Sequence, residues 1–454
     1  MSNDRFPRLQ GVLGFSVLTM LLLSALAFGA NRPITWSLLT IGVFVIFACQ
    51  VVLSVFLPVP LAVRKLFMPG VLFLAVTAWG WVQTMGGVSD AFSHPLWGNV
   101  PEAPASISAD PGQGRHAVMR LLCYGMIFAT MVWTCTSEAR AKGALITIAV
   151  FSTMLAAFGL YAFAVGENFF LGDFAGSGSV SATFVNRNSY ATYGIFGVFA
   201  NLAAYLEVGG RRREGVRGRL EGFFSGGWIF ALGALICIGA VSLTQSRAGA
   251  GAGLVGLAVF LMAWRGKRRK WDPVMLLTMA AVLIFIAMTS ATGLTERLLM
   301  TSSEDGRFAI YPAILQAIKD RPVLGHGLGS FQEAFRYYVP LEVGSLEWLR
   351  AHSTYLELAF GFGLPATAVF FLAIGVIVWR IHQGTIVRKN GRGFSCFALG
   401  CVATAAFHSA FDFSLQMPAT AALFAAILGL GFGQSFTQRA IKAAEVKRHH
   451  RRSD

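Results

Sequence analysis

Apolar residues along this chain gather into runs separated by short polar stretches. A helix needs about 20 predominantly apolar residues to cross the hydrocarbon core of a bilayer. Runs that meet or approach that length lie near 11–30, 34–57, 66–85, 117–135, 143–165, 189–208, 227–245, 248–264, 273–292, 353–379, 394–413 and 417–433. The pattern predicts an all-α polytopic membrane protein with about 12 transmembrane helices. The first run ends in Ala25-Leu26-Ala27, which resembles a small-residue cleavage site. Its apolar stretch is longer than a secretory h-region, so an uncleaved first span is expected.

The polar stretches differ strongly from one side to the other. Of the 37 lysines and arginines, 26 fall in one alternate set of loops and termini. That set runs from Arg5 and Arg8 through Arg211-Arg212-Arg213 to the tail Arg439–Arg452. By the positive-inside rule this side is cytoplasmic and holds both termini. The other side carries the long or unusual segments: 86–116, rich in Pro, Gly and Ser; 166–187, polar and Gly-rich; and 293–352, between the ninth and tenth runs. Long connections of this kind in compact proteins are usually functional. Within the last, Phe308, Ile310, Tyr311, Ile314, Leu315 and Ile318 recur at helical spacing. The run is too short to span, so a helix lying on the membrane surface or against the bundle is predicted. Pro322 and Gly325-x-Gly327-x-Gly329 end it in a turn. One bundle over 1–433 with a basic cytoplasmic tail at 434–454 is the expected organisation.

Composition narrows the class. The chain is 55% hydrophobic and 13% charged, with mean hydropathy +0.61, against about 25% charged residues in ordinary globular domains. A disordered chain, a secreted disulfide scaffold and a soluble enzyme are excluded. The net charge of +15 follows from the topology signal, and no nucleic-acid partner is needed to explain it. Cys49, Cys123, Cys135, Cys237, Cys396 and Cys401 lie in or beside apolar runs without CxxC spacing, so buried thiols are expected. The sequence holds no Walker motif and no DxD-like acidic pair, and the glycine cluster lacks the dinucleotide pattern. No cofactor and no metal are expected.

Several polar residues stand out against this background. Arg187, in Asn186-Arg187-Asn188, opens a span on the outer side, and Arg247, in Thr244-Gln245-Ser246-Arg247, joins two spans almost without a loop. A charge inside the bilayer costs about 2.5–3.5 kcal/mol on insertion scales, so such residues either snorkel or serve a function. Two of them, each beside amide or hydroxyl side chains, favour an anion site. Arg307 follows Glu304 and Asp305 and is either salt-bridged there or part of that site. His352 stands where the long outer segment meets a span, a place suited to a general base. His408 and Asp412, one helical turn apart, are either a proton relay or a satisfied pair. The run Ala248–Gly253 suits close helix packing. Arginines match phosphate oxygens bidentately and remain charged. Two or three of them at the outer leaflet would hold a diphosphate on a lipid carrier, while a histidine accepts a proton from an attacking hydroxyl.

At these residues the sequence resembles the O-antigen ligase and polymerase superfamily. The pieces that carry the resemblance are Thr183-Phe184-Val185-Asn186-Arg187-Asn188, Leu243-Thr244-Gln245-Ser246-Arg247-Ala248-Gly249 and Gly306-Arg307-Phe308. They continue with Asp320-Arg321-Pro322-Val323-Leu324-Gly325-His326-Gly327-Leu328-Gly329-Ser330-Phe331, His352-Ser353-Thr354-Tyr355-Leu356-Glu357 and Gly361-Phe362-Gly363-Leu364-Pro365. They stand in order over 183–365. The resemblance implies a GT-C-type glycosyltransferase of the bacterial inner membrane, its active site facing the periplasm and 293–352 forming the large periplasmic loop. It implies an undecaprenyl-diphosphate-linked glycan as donor and lipid A-core or another lipid-linked glycan as acceptor, with inversion and without metal. It assigns the diphosphate to Arg187, Arg247 and Arg307 and acceptor activation to His352, with Asn186, Asn188, Ser246, Tyr355 and Glu357 in support. The family often has Asn after the loop histidine, where this chain has Ser353.

A ligase that moves a finished polysaccharide to lipid A-core is the leading reading. Its rivals are a polymerase of O-antigen or exopolysaccharide, a protein O-glycosyltransferase, and a transporter or flippase. Against the last, the polar residues gather at the outer face and not at the bilayer midplane.

Overall fold

The computed structural model describes residues 5–100, 102–168, 172, 178–209, 226–265, 306–341, 347–388 and 390–437, with the backbone alone at 5–7, 209, 306 and 307. The apolar runs become helices: α1 Arg5–Ser24, α2 Pro33–Phe56, α3 Phe67–Val82, α4 Pro111–Thr134, α5 Glu138–Val165, α6 Arg187–Ala204, α7 Trp228–Ser242 and α8 Arg247–Arg265. After them come α9 Tyr311–Asp320, α10 Thr354–Phe362, α11 Leu364–Val387, α12 Arg392–His408 and α13 Pro418–Gly433. Helices α2, α4, α5, α6, α8 and α11 are long and apolar enough to cross a membrane, and α1, α3, α7 and α13 are shorter apolar helices. The chain is a polytopic membrane protein of helical class. The ninth predicted run, 273–292, and most of the tail 434–454 lie outside the described residues.

The tenth run departs from expectation. In place of one span over 353–379, the chain forms α10, breaks at Gly363 and restarts as α11. Gly363 takes φ +81°, a conformation natural to glycine, and Pro365 behind it lacks the N–H that would carry α10 onward, while suiting the first turn of α11. The freed Leu364 N–H donates instead to Pro322 O at 2.7 Å. The break ties the start of a span to the turn that ends the outer segment.

Long-range hydrogen bonds sort the helix termini into two ends. At one end Thr183 donates to Ala25 O (2.6 Å), Val180 N to Leu243 O (2.9 Å) and Thr354 N to Ser409 O (2.8 Å). These join the C-termini of α1, α7 and α12 to the N-termini of α6 and α10. At the other end, Gly393 N donates to Glu207 (2.8 Å) and Arg392 to Ala263 O (2.9 Å). Between the ends, glycines bring the central helices together. A Cβ on Gly249 of α8 would stand 2.8 Å from the Cβ of Ala191 on α6, and one on Gly253 would stand 3.3 Å from Ile195. Thr404 of α12 donates to Ala252 O at 3.2 Å. The Gly-Ala run thus serves close packing.

The segment between α8 and α10 adds a small second core. Ile310 and, from α9, Ile314, Ala317 and Ile318 pack on Phe331, Phe335 and Phe360, so the predicted short helix lies against the bundle, with Phe308 and Leu315 left exposed. The 86–110 loop docks on this unit. Arg321 donates to the Ser93 and Phe92 carbonyls at 3.0 Å each. Gln83, fully buried, donates to Leu324 O and Gly361 O and accepts from Leu328 N. Gly325, Gly327 and Gly329 all have positive φ, and a side chain on Gly329 would stand 2.9 Å from the Gln113 carbonyl. Glycine is required there for close backbone approach as well as for the turn.

Candidate functional site

Arg187 and Arg247 are each the first residue of a helix, α6 and α8. Asn186 caps α6 by accepting from Asn188 N (2.8 Å) and Ser189 N (3.1 Å). Ser246 is buried and caps α8 by accepting from Gly249 N (3.1 Å). Both are good N-cap residues, so the sequence itself starts each helix at its arginine. The contacts of Gly249 with Ala191 and of Gly253 with Ile195 make α6 and α8 parallel and keep them in register. Extended one turn back, that register sets Arg187 level with Gln245–Arg247. Two helix N-termini therefore open at one place, each contributing partial positive charge and a guanidinium, which favours a bound anion. Arg187 is half-buried and Arg247 exposed.

The C-terminal end of α12 closes this site from a third side. Asn188 donates to Asp412 Oδ2 at 2.7 Å, and Phe413 N donates to Asp412 Oδ1 at 2.6 Å. His408 Nδ1 meets the hydroxyls of Thr192 (2.9 Å) and Ser414 (2.8 Å). Asp412 and the Nδ1 of His408, both residues fully buried, are therefore held by neighbours on α6 and in the 413–414 turn, an arrangement that fixes the turn.

His352 rests on that same turn. Its ring stands edge-on to Phe413 with centroids 5.0 Å apart, and to Trp348 at 6.1 Å. Its backbone takes φ +52°, uncommon for a residue with a Cβ and typical of sites that the surroundings over-determine. Those surroundings are explicit. Tyr311 donates to His352 O (3.0 Å). Thr354 N is held by Ser409 O and its hydroxyl donates to Asp412 O (3.3 Å), while Ser353 caps α10 through Leu356 N (3.4 Å). Glu357 accepts from Ala351 N (2.9 Å) and pairs with Arg350 (3.1 Å). The chain Arg187, Asn188, Asp412, Phe413, His352 thus connects the arginine end to the histidine through covalent neighbours, two hydrogen bonds and one ring contact.

Among the other predicted residues, Tyr355 turns away and donates to Ala406 O at 2.7 Å, which locks α10 on α12. The Arg307 side chain lies outside the described residues; its backbone falls in the short helix Gly306–Ala309, one turn before Tyr311. Asn186, Asn188, Ser246 and Glu357 all act on the backbone or on a neighbour. Sequence reasoning missed Trp348, whose indole N–H is buried with no partner among the described residues. It also passed over Arg120 and Arg350, which lie beside Glu357. A charge at 120 inside the apolar run that opens at 117 was the available signal.

A second histidine feature lies beneath the outer loops. His326 Nε2 donates to Ala317 O (2.9 Å), so its Nδ1 accepts from His94 Nε2 (2.8 Å), and His94 Nδ1 accepts from Leu96 N (3.3 Å). Both rings are therefore neutral, and either protonation would set two donors face to face. Burial, aided by the mutual repulsion of two rings, lowers His94 to about 3. Burial likewise lowers His326 to about 4. This pair belongs to the frame of the site.

Residues 232–371 match the family model described as O-antigen ligase, which supports the superfamily resemblance read from the motifs. The matched stretch includes Arg247, Arg307, His352, Tyr355 and Glu357 and stops short of Arg187 and Arg120. No curated protein matches the chain.

Proposed function

With the O-antigen ligase match as premise, we propose that this chain transfers a polysaccharide from undecaprenyl diphosphate to a sugar hydroxyl of lipid A-core. The reaction takes place at the periplasmic face of the bacterial inner membrane. In this reading the bundle has about twelve spans, both termini are cytoplasmic, and 293–352 is the periplasmic loop. The observation that carries it is the convergence of two arginine-bearing helix N-termini on the turn that seats His352.

The diphosphate lies across the N-termini of α6 and α8, where Arg187 and Arg247 grip its oxygens and the helix dipoles add to the attraction. Arg307 joins them from the segment before Tyr311. His352 takes the proton of the acceptor hydroxyl as its oxygen bonds to the anomeric carbon. The bond from that carbon to the phosphate oxygen breaks on the opposite face, and undecaprenyl diphosphate departs with the electron pair. The anomeric centre inverts. Charge grows on the leaving diphosphate in the transition state, so the arginines bind that state more tightly than the substrate. Glu357, Tyr311 and Ser353 hold the His352 backbone in its left-handed conformation.

The test is to delete the gene and size the glycan left on the undecaprenyl carrier, beside a gel of the cell's lipopolysaccharide. Long polymer on the carrier with O-chain-free lipopolysaccharide supports the ligase. A single repeat unit on the carrier would replace it with a polymerase that joins lipid-linked repeats using the same donor site.

A further inference from the structure

Arg120 sits one helical turn inside the apolar run that begins at 117, where an unused charge is costly. Its guanidinium lies over the Trp36 ring of α2, 5.2 Å from the centroid, and Trp36 in turn meets the His116 ring edge-on at 5.3 Å. The same guanidinium lies within electrostatic range of Arg350, Glu357 and Tyr124. Glu357 cannot neutralise both arginines, because it carries a single negative charge and already pairs with Arg350 Nη1 while accepting from Ala351 N. Among the described residues no protein acceptor is hydrogen bonded to Arg120, although a guanidinium carries five N–H donors. Two guanidiniums thus share one occupied carboxylate, leaving a surplus positive charge two residues from His352. Stacking on Trp36 fixes the plane of Arg120 without consuming its donors.

The location separates this cluster from the arginines already described. Arg187 and Arg247 approach the His352 segment from α6 and α8, on the Phe413 side of the ring. Arg120 approaches it from α4 and α2, through the Glu357 side of α10. A donor diphosphate held by the first pair leaves the second cluster facing a different anion.

We propose that Arg120 and Arg350 form a second anion site that holds a phosphate group of the acceptor glycolipid and so aims its hydroxyl at His352. The assignment of the phosphate to an acceptor rests on the ligase reading; the anion site itself rests on the stacking of Arg120 on Trp36 and on the Arg350–Glu357 pair within its electrostatic range.

The test measures binding without turnover. The full-length protein, in nanodiscs of zwitterionic lipid, is titrated by native mass spectrometry with lipid A-core and with the same glycolipid after phosphatase treatment. The wild type should bind the phosphorylated form about tenfold or more tightly. Arg120→Gln should erase that preference, Arg120→Lys should keep part of it, and Arg388→Ala should leave it intact. Equal binding of the two glycolipids by the wild type overturns the proposal, as does an undiminished preference in Arg120→Gln. Repeating the titration in anionic phospholipid separates the two sources of phosphate. If bilayer lipid competes the preference away, the site belongs to bulk headgroups and the acceptor assignment falls. Should Arg120→Gln fail to fold, the wild-type preference and the Arg120→Lys value still decide. Glycan transfer is followed in parallel: preference for phosphate without transfer to lipid A-core refutes the ligase reading and leaves the anion site standing.

Discussion

The two ends of the bundle use arginine in opposite ways. At the end away from His352, guanidiniums sit on the carbonyls that finish helices. Arg140 donates to Thr134 O at the close of α4 (2.7 Å), and Arg392 to Ala263 O in the last turn of α8 (2.9 Å). Arg388 and Arg380 donate to the Gln434 and Ser435 carbonyls just past α13 (2.6 Å each). A cation at a helix C-terminus meets unsatisfied carbonyls and the negative end of the dipole, so protein alone completes it. At the His352 end, Arg187 and Arg247 occupy the first positions of α6 and α8, where the dipole opposes a cation. In the function proposed above, a bound diphosphate meets both guanidiniums and both helix N-termini there. Under the proposed function, the polarity of the helix beneath an arginine separates topology and stability from ligand binding.

The largest effects that sharpen this contrast should come from the His352 end. Arg187→Ala, Arg247→Ala and His352→Ala should each reduce transfer about 10²–10³-fold or more, as loss of one preorganised charge-stabilising group does, with membrane abundance unchanged. Arg187→Lys and Arg247→Lys should recover only part, because a point charge replaces a bidentate fork; full activity in both would remove the diphosphate role. Next in size, Glu357→Gln should lower kcat about tenfold with donor KM unchanged, because the variant weakens the Arg350 pairing that sets the backbone before His352. An equal loss in kcat and stability would make Glu357 merely structural. At the far end, Arg388→Ala should destabilise the folded protein by about 1.5–3 kcal/mol and leave turnover per folded molecule intact, as read by thermal unfolding alongside transfer.

The most gradual effect is a pH slope. His94 and His326 have folded pKa values near 3 and 4, below the unfolded value of about 6.5. The unfolded chain therefore binds more protons between about pH 6.5 and 4. Stability from this pair is complete above that window and falls as pH drops through it, by up to about 1.4 kcal/mol per pH unit for each ring. Unfolding midpoints of wild type and His94→Gln, followed from pH 7 to 4.5, should converge as the pH falls. Parallel curves would mean that the rings are not buried neutral.

Much of the architecture was legible from hydrophobic run length, because a span must satisfy its own backbone and so announces itself locally. The helix starts at Arg187 and Arg247 were legible for the same reason: Asn186 and Ser246 are local caps. What escaped the sequence depends on contacts between distant segments. The break at Gly363 hides in a continuous apolar run because its stabilising partner, Pro322 O, lies 42 residues upstream. The roles of Asp412 and Gln83 are set by Asn188 and by the 324–328 and 361 backbone, none of which their neighbours reveal. His94 and His326, 232 positions apart, look like unrelated loop residues until the fold pairs them. Arg120 carried a local signal, a charge inside an apolar run, which the sidedness of the whole set obscured.

The most direct measurement of the central claim is the affinity of the purified protein for undecaprenyl diphosphate, compared across the two ends. Arg187→Ala and Arg247→Ala should each weaken binding about tenfold or more, while Arg388→Ala binds as the wild type does. Equal affinity in all four proteins would contradict the account, because it would deprive the paired helix N-termini of their anion.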